Sequence, residues 1–190
     1  MVTKLLTSIR TCQICTGLPL GPRPIIQASA KSKILIAGQA PGQITHRKGI
    51  PFDDPSGERL RLWLGIDRDA FYNPENFAII PMGFCYPGKG KSGDLPPRAE
   101  CAKTWHDDLL ASLHNIELKL VIGQYAHTYY LGDFRQKNLT ETVINWRTHW
   151  PDILPLPHPS PRNISWFKRN EWFEGEVLPV LQERVREVLG

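Results

Sequence analysis

The stretch 33-KILIAG-38 is a short apolar run that ends in glycine. A run of this length is typical of a strand buried on both faces of a parallel sheet and followed by a tight turn. The runs 77-FAIIPMGF-84, 117-ELKLVIG-123 and 153-ILPLP-157 have the same character. The sequence therefore predicts four strands that share one sheet.

Segments with helical patterning lie between and around these strands. They cover residues 2–10, 56–64, 100–114, 124–131 and 173–189. The second begins at Ser56, whose hydroxyl is suited to cap a helix. Strands that alternate with helices favour a parallel sheet covered on both faces. We therefore expect an α/β fold, a three-layer α/β/α arrangement around a central, mainly parallel four-stranded sheet.

Length and composition limit the class of protein. The 190 residues are 41% hydrophobic and 22% charged, which fits a single folded domain over residues 1–190. The formal net charge of +4 favours an anionic partner such as nucleic acid. No apolar run is long enough to cross a membrane, and the N-terminus lacks a signal-peptide pattern. We expect a cytoplasmic monomer without a membrane partner.

Three loops follow predicted strands: 38-GQAPG-42, 81-PMGFC-85 and 158-HPSPRN-163. Because ligands of parallel sheets bind beyond the carboxyl ends of the strands, these loops are expected to meet around one site. The first loop is neither G-x-G-x-x-G nor a loop ending in G-K-[ST], which excludes the dinucleotide and P-loop patterns.

The loop at 158–163 contains a histidine held between prolines. An imidazole fixed in this way can donate a hydrogen bond to negative charge that develops in a reaction. Basic and aromatic side chains then interleave: Arg162, Trp166, Phe167, Lys168 and Arg169. Such a pattern suits phosphate contact and base stacking, although it also suits an amphipathic segment that packs its rings inward.

Two further groups of side chains are candidates for chemistry. Asp53 and Asp54 follow Phe52 in a predicted loop, where one carboxylate could orient a water or, alternatively, cap a helix. Cys12 and Cys15 form a C-x2-C pair, and Cys85 and Cys101 lie far downstream. Four thiolates can hold zinc or an iron–sulfur cluster, but the same residues can also be ordinary buried cysteines.

Together these segments resemble the uracil-DNA glycosylase superfamily over nearly the whole chain. The first loop, Gly38-Gln39-Ala40-Pro41-Gly42, resembles the superfamily's first motif. The loop at 158–163 resembles its second motif, in the form found in the single-strand-selective monofunctional branch. The order and spacing of the four cysteines are similar to those of the [4Fe–4S] site in the iron–sulfur (family 4/5-like) branches. Phe52 falls where family members stack an aromatic ring on the flipped base.

The chain departs from the family pattern at three places. Gln39 stands where the iron–sulfur branch typically has a water-positioning glutamate. Ala40 stands where other branches have aspartate or asparagine. Pro81 stands where typical iron–sulfur members have the asparagine that reads the uracil edge.

The resemblance implies a monofunctional DNA repair glycosylase that flips a deaminated base, uracil or else hypoxanthine or xanthine, and hydrolyses its N-glycosidic bond. His158 would stabilise the departing base. Asp54 is the preferred water-orienting carboxylate, because 54-DPSG-57 resembles a D-x-S-G stretch of the second iron–sulfur branch. Asp53 and His46 are the alternatives. No lysine lies in a recognisable nucleophile context.

The remaining roles follow from the same resemblance. Residues expected to bind the substrate are Gly38, Gln39, Ala40, Pro41, Gly42, Phe52 and Asn163. Residues expected to contact DNA are Ser160, Arg162, Lys168 and Arg169. The cysteines Cys12, Cys15, Cys85 and Cys101 would bind a [4Fe–4S] cluster, or alternatively zinc. Two rival hypotheses are a module that binds damaged DNA without cutting it and a zinc-bound adaptor.

Overall fold

A computed structural model describes residues 2–190 and contains one four-stranded sheet. Its strands are β1 (Ile34–Ala37), β2 (Phe77–Ile79), β3 (Leu118–Ile122) and β4 (Ile153–Leu156). They lie in the order β2-β1-β3-β4, and every neighbouring pair is parallel. The prediction of a mainly parallel four-stranded sheet is confirmed, and the sheet is parallel throughout.

Helices connect and flank the strands. The α-helices are α1 (Val2–Arg10), α2 (Gln43–Lys48), α3 (Pro55–Leu64), α4 (Arg68–Tyr72), α5 (Ala99–Cys101), α6 (Asp107–Ala111), α7 (Gly123–Leu131), α8 (Leu139–Ile144), α9 (Ile164–Arg169) and α10 (Leu178–Leu189). Two π-helical turns, Ala102–His106 and Phe173–Val177, precede α6 and α10. Within residues 2–190, no helix is both long and apolar enough to cross a lipid bilayer.

The central strand β1 divides the core into two layers because its side chains alternate between the faces of the sheet. Ile34 and Ile36 pack into one buried cluster together with side chains of α3, α8 and α10. Leu35 packs into a second cluster, on the other face, together with side chains of α1 and α6. The sheet is therefore covered on both sides, as expected for a three-layer α/β/α fold.

The structure corrects several predicted boundaries. The predicted strand 77–84 is cut to three residues, because Pro81 has no N–H for the sheet. The predicted helix 100–114 is helical without interruption over residues 99–111, contains a π-helical turn at Ala102–His106, and ends three residues earlier than predicted. Helix α3 is capped by Asp54 rather than Ser56, because Pro55 is suited to the first helical position. Helices α2, α4, α8 and α9 were absent from the sequence prediction, since each is only five or six residues long.

Because the fold buries two histidines, we expect its stability to fall at acidic pH. His106 and His127 are 0% and 2% exposed, and burial lowers the pKa of each from 6.5 to about 4. Between these pH values the unfolded chain binds more protons than the folded chain. The free energy of unfolding should therefore fall as the pH drops from about 6.5 to about 4, by at most ~1.4 kcal/mol per pH unit for each histidine.

Urea unfolding at pH 7, 6 and 5 measures this effect. His127→Asn removes a histidine whose Nε2 lies 3.0 Å from the carbonyl oxygen of Val121. It should lower stability at pH 7 and make the pH dependence shallower. His114→Asn, on an exposed histidine, is the matched control and should leave the slope unchanged. Equal slopes in the wild type and in His127→Asn would contradict the assignment.

Candidate active site

A cavity of about 400 Å³ lies at the carboxyl edge of the sheet. Its walls come from the loops after β1, β2 and β4 and from the segment that leads into α3. Residues predicted as site residues that line it are Gly38, Gln39, Ala40, Pro41, Gly42, Phe52, Asp54, His158, Ser160 and Arg162. The parallel topology thus brings together segments more than 100 residues apart, as the strand-end argument predicted.

Backbone hydrogen bonds join the loop after β1 to the loop after β2. Met82 donates its N–H to the carbonyl oxygen of Gly38 at 2.8 Å, and Gly83 donates to that of Gln39 at 2.9 Å. The side chain of Gln39 turns towards a different loop, and its Nε2 donates to the carbonyl oxygen of Leu95 at 2.8 Å. One N–H of the Gln39 amide therefore fixes the cavity wall, while the residue itself still lines the cavity.

Phe52 has an unusual backbone that directs its ring into the cavity. Its φ of 53° lies in the left-handed region, which is rare for a residue with a bulky side chain. Gly57 makes this conformation possible, because a Cβ at that position would lie 1.7 Å from the carbonyl oxygen of Phe52. The ring tip lies 3.7 Å from the position a Cβ of Gly38 would occupy. A flat ligand can stack against a ring held in this way.

Asp54 combines a structural and a possible chemical role. Its Oδ1 accepts a hydrogen bond from the N–H of Gly57 at 2.9 Å and so caps α3. The residue also lines the cavity, which leaves its second carboxylate oxygen for a ligand or a water. The two interpretations of this aspartate from sequence, helix cap and water-orienting group, are therefore compatible.

The alternatives to Asp54 do not line the cavity. Asp53 pairs with Arg68 at 2.7 Å and with Lys48 at 3.2 Å, and the hydrogen bond from Arg68 lowers the pKa of its carboxyl. His46 is only 7% exposed, and burial lowers the pKa of its imidazole. Both side chains are thus held by the protein away from the space a ligand would occupy.

His158 is fixed in one tautomer by its own loop. The backbone N–H of Ser160 donates to Nδ1 at 3.1 Å, so Nδ1 carries a lone pair and Nε2 carries the proton. Burial lowers the pKa of the imidazole, although the negative charge of Asp54 acts in the opposite direction. His158 is therefore neutral at pH 7 and offers one N–H donor.

Asn163 supports this histidine from behind. Its Nδ2 donates to the carbonyl oxygen of His158 at 2.9 Å, and the residue does not line the cavity. The structure therefore places Asn163 where it orients the loop, whereas the sequence analysis predicted contact with the substrate.

The predicted DNA-contacting residues separate into two groups. Ser160 and Arg162 lie at the cavity. Lys168 lies in a second groove of about 300 Å³, together with Arg59 and Phe167. Arg169 lines neither space, and its Nε donates to the carbonyl oxygen of Ser165 at 3.1 Å. Only Ser160 and Arg162 are thus positioned beside a ligand in the cavity.

The sequence analysis missed several polar residues of the cavity wall, and three of them come from one segment. Tyr86, Lys89 and Asp94 line the cavity from the long segment between β2 and α5. The available signal was 88-GKGKSGD-94, where glycines alternate with lysines in a pattern typical of a turn that presents charge.

The four cysteines form a second candidate site. Cys15, Cys85 and Cys101 are 5–6% exposed, Cys12 is half-buried, and none is in a disulfide. Burial raises the pKa of Cys85 to about 11 and that of Cys101 to about 12, and the neighbouring thiols contribute in the same direction. Cys15 and Cys85 share a small buried cluster with Leu18, whereas Cys101 packs into the layer that contains Leu35.

One backbone donor contacts a cysteine sulfur. The N–H of Phe84 donates to the Sγ of Cys101 at 3.4 Å. Hydrogen bonds to sulfur are a common feature of iron–sulfur sites. Within the described residues 2–190, no three His, Cys, Asp or Glu side chains are close enough to hold a single metal ion.

Residues 26–182 match the sequence profile of the Uracil DNA glycosylase superfamily. The matched region includes all three loops of the cavity together with Phe52 and Asp54. The chain belongs to this superfamily. Members of the Uracil DNA glycosylase superfamily are DNA glycosylases, which hydrolyse N-glycosidic bonds after the base has left the helix.

This chain is similar to a protein from Methanosarcina acetivorans whose structure was solved by solution NMR and which is provisionally described as a uracil DNA glycosylase. The two sequences are 15% identical, the alignment covers 85% of this chain and 98% of that chain, and the TM-score is 0.47. Cys12 and Cys15 precede the matched superfamily region, whereas Cys85 and Cys101 lie inside it.

Proposed function

We propose that this protein is a monofunctional DNA glycosylase that hydrolyses the N-glycosidic bond of a deaminated base. The observation on which this proposal depends is the shared cavity of Phe52, Asp54 and His158, in which His158 is neutral and presents one N–H donor. DNA is the partner, and the base would enter by flipping out of the stack, which costs about a few kcal/mol.

His158 acts on the leaving group. As the bond between C1′ and the base nitrogen breaks, its electron pair moves onto the base and negative charge appears on the base carbonyl oxygen. The N–H at Nε2 of His158 donates a hydrogen bond to that oxygen. A donor held in position before the reaction stabilises the charge without reorganisation at the moment of bond cleavage.

Asp54 acts on the sugar side. Its free carboxylate oxygen accepts a hydrogen bond from a water and takes a proton from it as the water oxygen bonds to C1′. The same negative charge stabilises the positive sugar of the transition state. The proton taken up by Asp54 then passes through solvent to the nitrogen of the departing base, so that Asp54 is again a carboxylate and the products are the free base and an abasic site.

The substrate class follows from groups that uracil, hypoxanthine and xanthine share, a ring carbonyl beside an N–H. Phe52 stacks on the ring and His158 binds a carbonyl. One N–H of the Gln39 amide is used by Leu95, and Pro81 has no side-chain donor or acceptor. We therefore propose recognition of the deaminated class rather than of uracil alone.

The test is an excision assay on oligonucleotides that contain uracil, hypoxanthine, xanthine or only normal bases, each as a single strand and as a duplex. Abasic-site formation from at least one deaminated base, with no covalent product after borohydride treatment, is expected. Tight binding without abasic sites would favour the alternative of a module that only binds damage. A borohydride-trapped adduct would overturn the monofunctional mechanism and would direct attention to Lys89, the lysine that lines the cavity.

We further propose that Cys12, Cys15, Cys85 and Cys101 hold a [4Fe–4S] cluster with a structural role. Tetrahedral zinc needs its sulfur ligands within about 2.3 Å of one centre. A [4Fe–4S] cluster instead takes one thiolate on each of its four iron atoms, and the order and spacing of the four cysteines in the sequence resemble that ligand set. When bound, the cluster would tie the segment after α1 to the loops around Cys85 and Cys101.

Cys85→Ser should therefore lose most of the bound iron and the brown colour and should unfold at a lower temperature. Purification without oxygen, followed by assays of iron, acid-labile sulfide and zinc, measures the metal directly and does not depend on activity. Ser112→Ala, a change at a buried residue remote from the cysteine cluster, controls for general effects of core substitution. A colourless wild-type protein with one zinc per chain would overturn the cluster.

A further inference from the structure

The segment between β2 and α5 forms a tight hairpin over residues 88–95. Gly90 donates its N–H to the carbonyl oxygen of Gly93 at 2.6 Å, and Leu95 donates to that of Gly88 at 2.8 Å. Lys89 and Asp94 are paired across this hairpin as an antiparallel bridge. Directly opposed residues project to the same face, so the hairpin presents one positive and one negative side chain together.

This face is directed at the cavity, which both Lys89 and Asp94 line. Two features of the loop after β1 hold the hairpin there. Gln39 donates its amide N–H to the carbonyl oxygen of Leu95 at 2.8 Å. Gly42 lies against the hairpin, since a Cβ at that position would be in ordinary van der Waals contact with the Oδ2 of Asp94, at 3.4 Å. The hairpin is thus a wall of the cavity and not a free surface loop.

Arg162 lines the same cavity from the loop after β4. The positive charges of Arg162 and Lys89 both act on the Asp94 carboxyl, while burial in the cleft opposes them and raises its pKa. Tyr86 is the other titratable group that faces this carboxyl. Among residues 2–190, Asp94 forms no direct ion pair with either cation. Lys89 and Arg162 therefore line the same cavity as Asp94, whose carboxylate has no direct ion pair with either of them.

We propose that the hairpin 88–95 is a second DNA-binding wall, on which Lys89 binds a backbone phosphate opposite Arg162 and Asp94 opposes binding of the backbone. This inference rests on the proposed function, since it takes the ligand to be a DNA strand. A lysine that contacts a phosphate releases a counterion and adds affinity that depends on salt. A carboxylate beside the same phosphate repels it and limits the affinity for DNA that offers only its backbone.

Because Lys89 and Asp94 carry opposite charges on one face of the hairpin, removing one charge or the other should change the affinity for DNA in opposite directions. Fluorescence anisotropy with an undamaged single-stranded oligonucleotide, at several salt concentrations, measures affinity without excision. Lys89→Ala should weaken binding and reduce the slope of log affinity against log salt by about 1. Asp94→Asn should tighten binding by about three- to tenfold.

The matched controls are Lys31→Ala and Glu75→Gln, which change the same charges at an exposed pair near the amino ends of β1 and β2. Those ends lie opposite the cavity, so both controls should leave the affinity unchanged. The proposal is overturned if Lys89→Ala leaves the affinity unchanged, as Lys31→Ala should. It is also overturned if Asp94→Asn weakens binding.

Gln39 is a positioning residue in this proposal, and a double-mutant cycle tests it. Gln39→Ala should loosen the hairpin, so that Lys89→Ala has a smaller effect in that background than in the wild type. If the effects of Gln39→Ala and Lys89→Ala on the free energy of DNA binding are additive, Gln39 does not position the hairpin. If no base is excised but the charge variants still change the affinity for DNA, only the proposed glycosylase function is contradicted. If a base is excised but the charge variants leave the affinity unchanged, only the role of the hairpin in DNA binding is contradicted.

Discussion

His158→Ala is expected to slow base excision by about 10²–10³-fold while the affinity for DNA stays close to that of the wild type. The variant removes the N–H donor that faces the departing base. It leaves the cations that contact the backbone in place. Single-turnover excision on the best substrate of the panel measures the rate, and anisotropy with undamaged DNA measures binding.

The pH dependence of the wild type provides an independent check on the same residue. The Ser160 N–H occupies Nδ1, and burial lowers the pKa of the imidazole below its ordinary 6.5. The neutral form should therefore persist below pH 6.5, and excision should decline only at more acidic pH. His114→Ala, at an exposed position, is the control. Wild-type turnover by His158→Ala would remove this histidine from the mechanism.

The fold was predictable because strong local patterns determine it. The run 33–38 is apolar at every position except its ends, so it suits only a strand buried on both faces. The meeting of the loops after β1 and β4 then follows from parallel topology. His158 was predictable for the same reason, since prolines on both sides fix the backbone at a strand end.

The parts that sequence did not predict depend on where side chains point. Gln39 lies in the first motif, yet its amide is used by the carbonyl of Leu95, 56 residues downstream. Asp53 and Asp54 are adjacent and chemically alike, but ion pairs hold one and a helix cap holds the other. Asn163, the last residue of the second motif, donates to the backbone of His158. The contacts of Gln39 with Leu95 and of Asp53 with Arg68 are tertiary, and no local pattern encodes them.

Asp54→Asn should lower the excision rate by about 10²–10⁴-fold with little change in stability. The change keeps a side-chain oxygen that can accept from the N–H of Gly57, so α3 remains capped. It removes the negative charge that would stabilise the sugar cation and accept a proton from water. Asp54→Ala removes the cap as well and should cost a further ~1 kcal/mol of stability.

Asp67→Asn is the matched control for this change. Asp67 caps α4 by accepting from the N–H of Ala70 at 2.8 Å, and it does not line the cavity. Both Asn variants should therefore melt near the wild-type temperature, whereas only Asp54→Asn should lose activity. A wild-type rate for Asp54→Asn would move the water-orienting role to Asp94, the other carboxylate of the cavity wall. Because Asp94→Asn is already predicted to tighten DNA binding, its excision rate would separate a catalytic role from an electrostatic one.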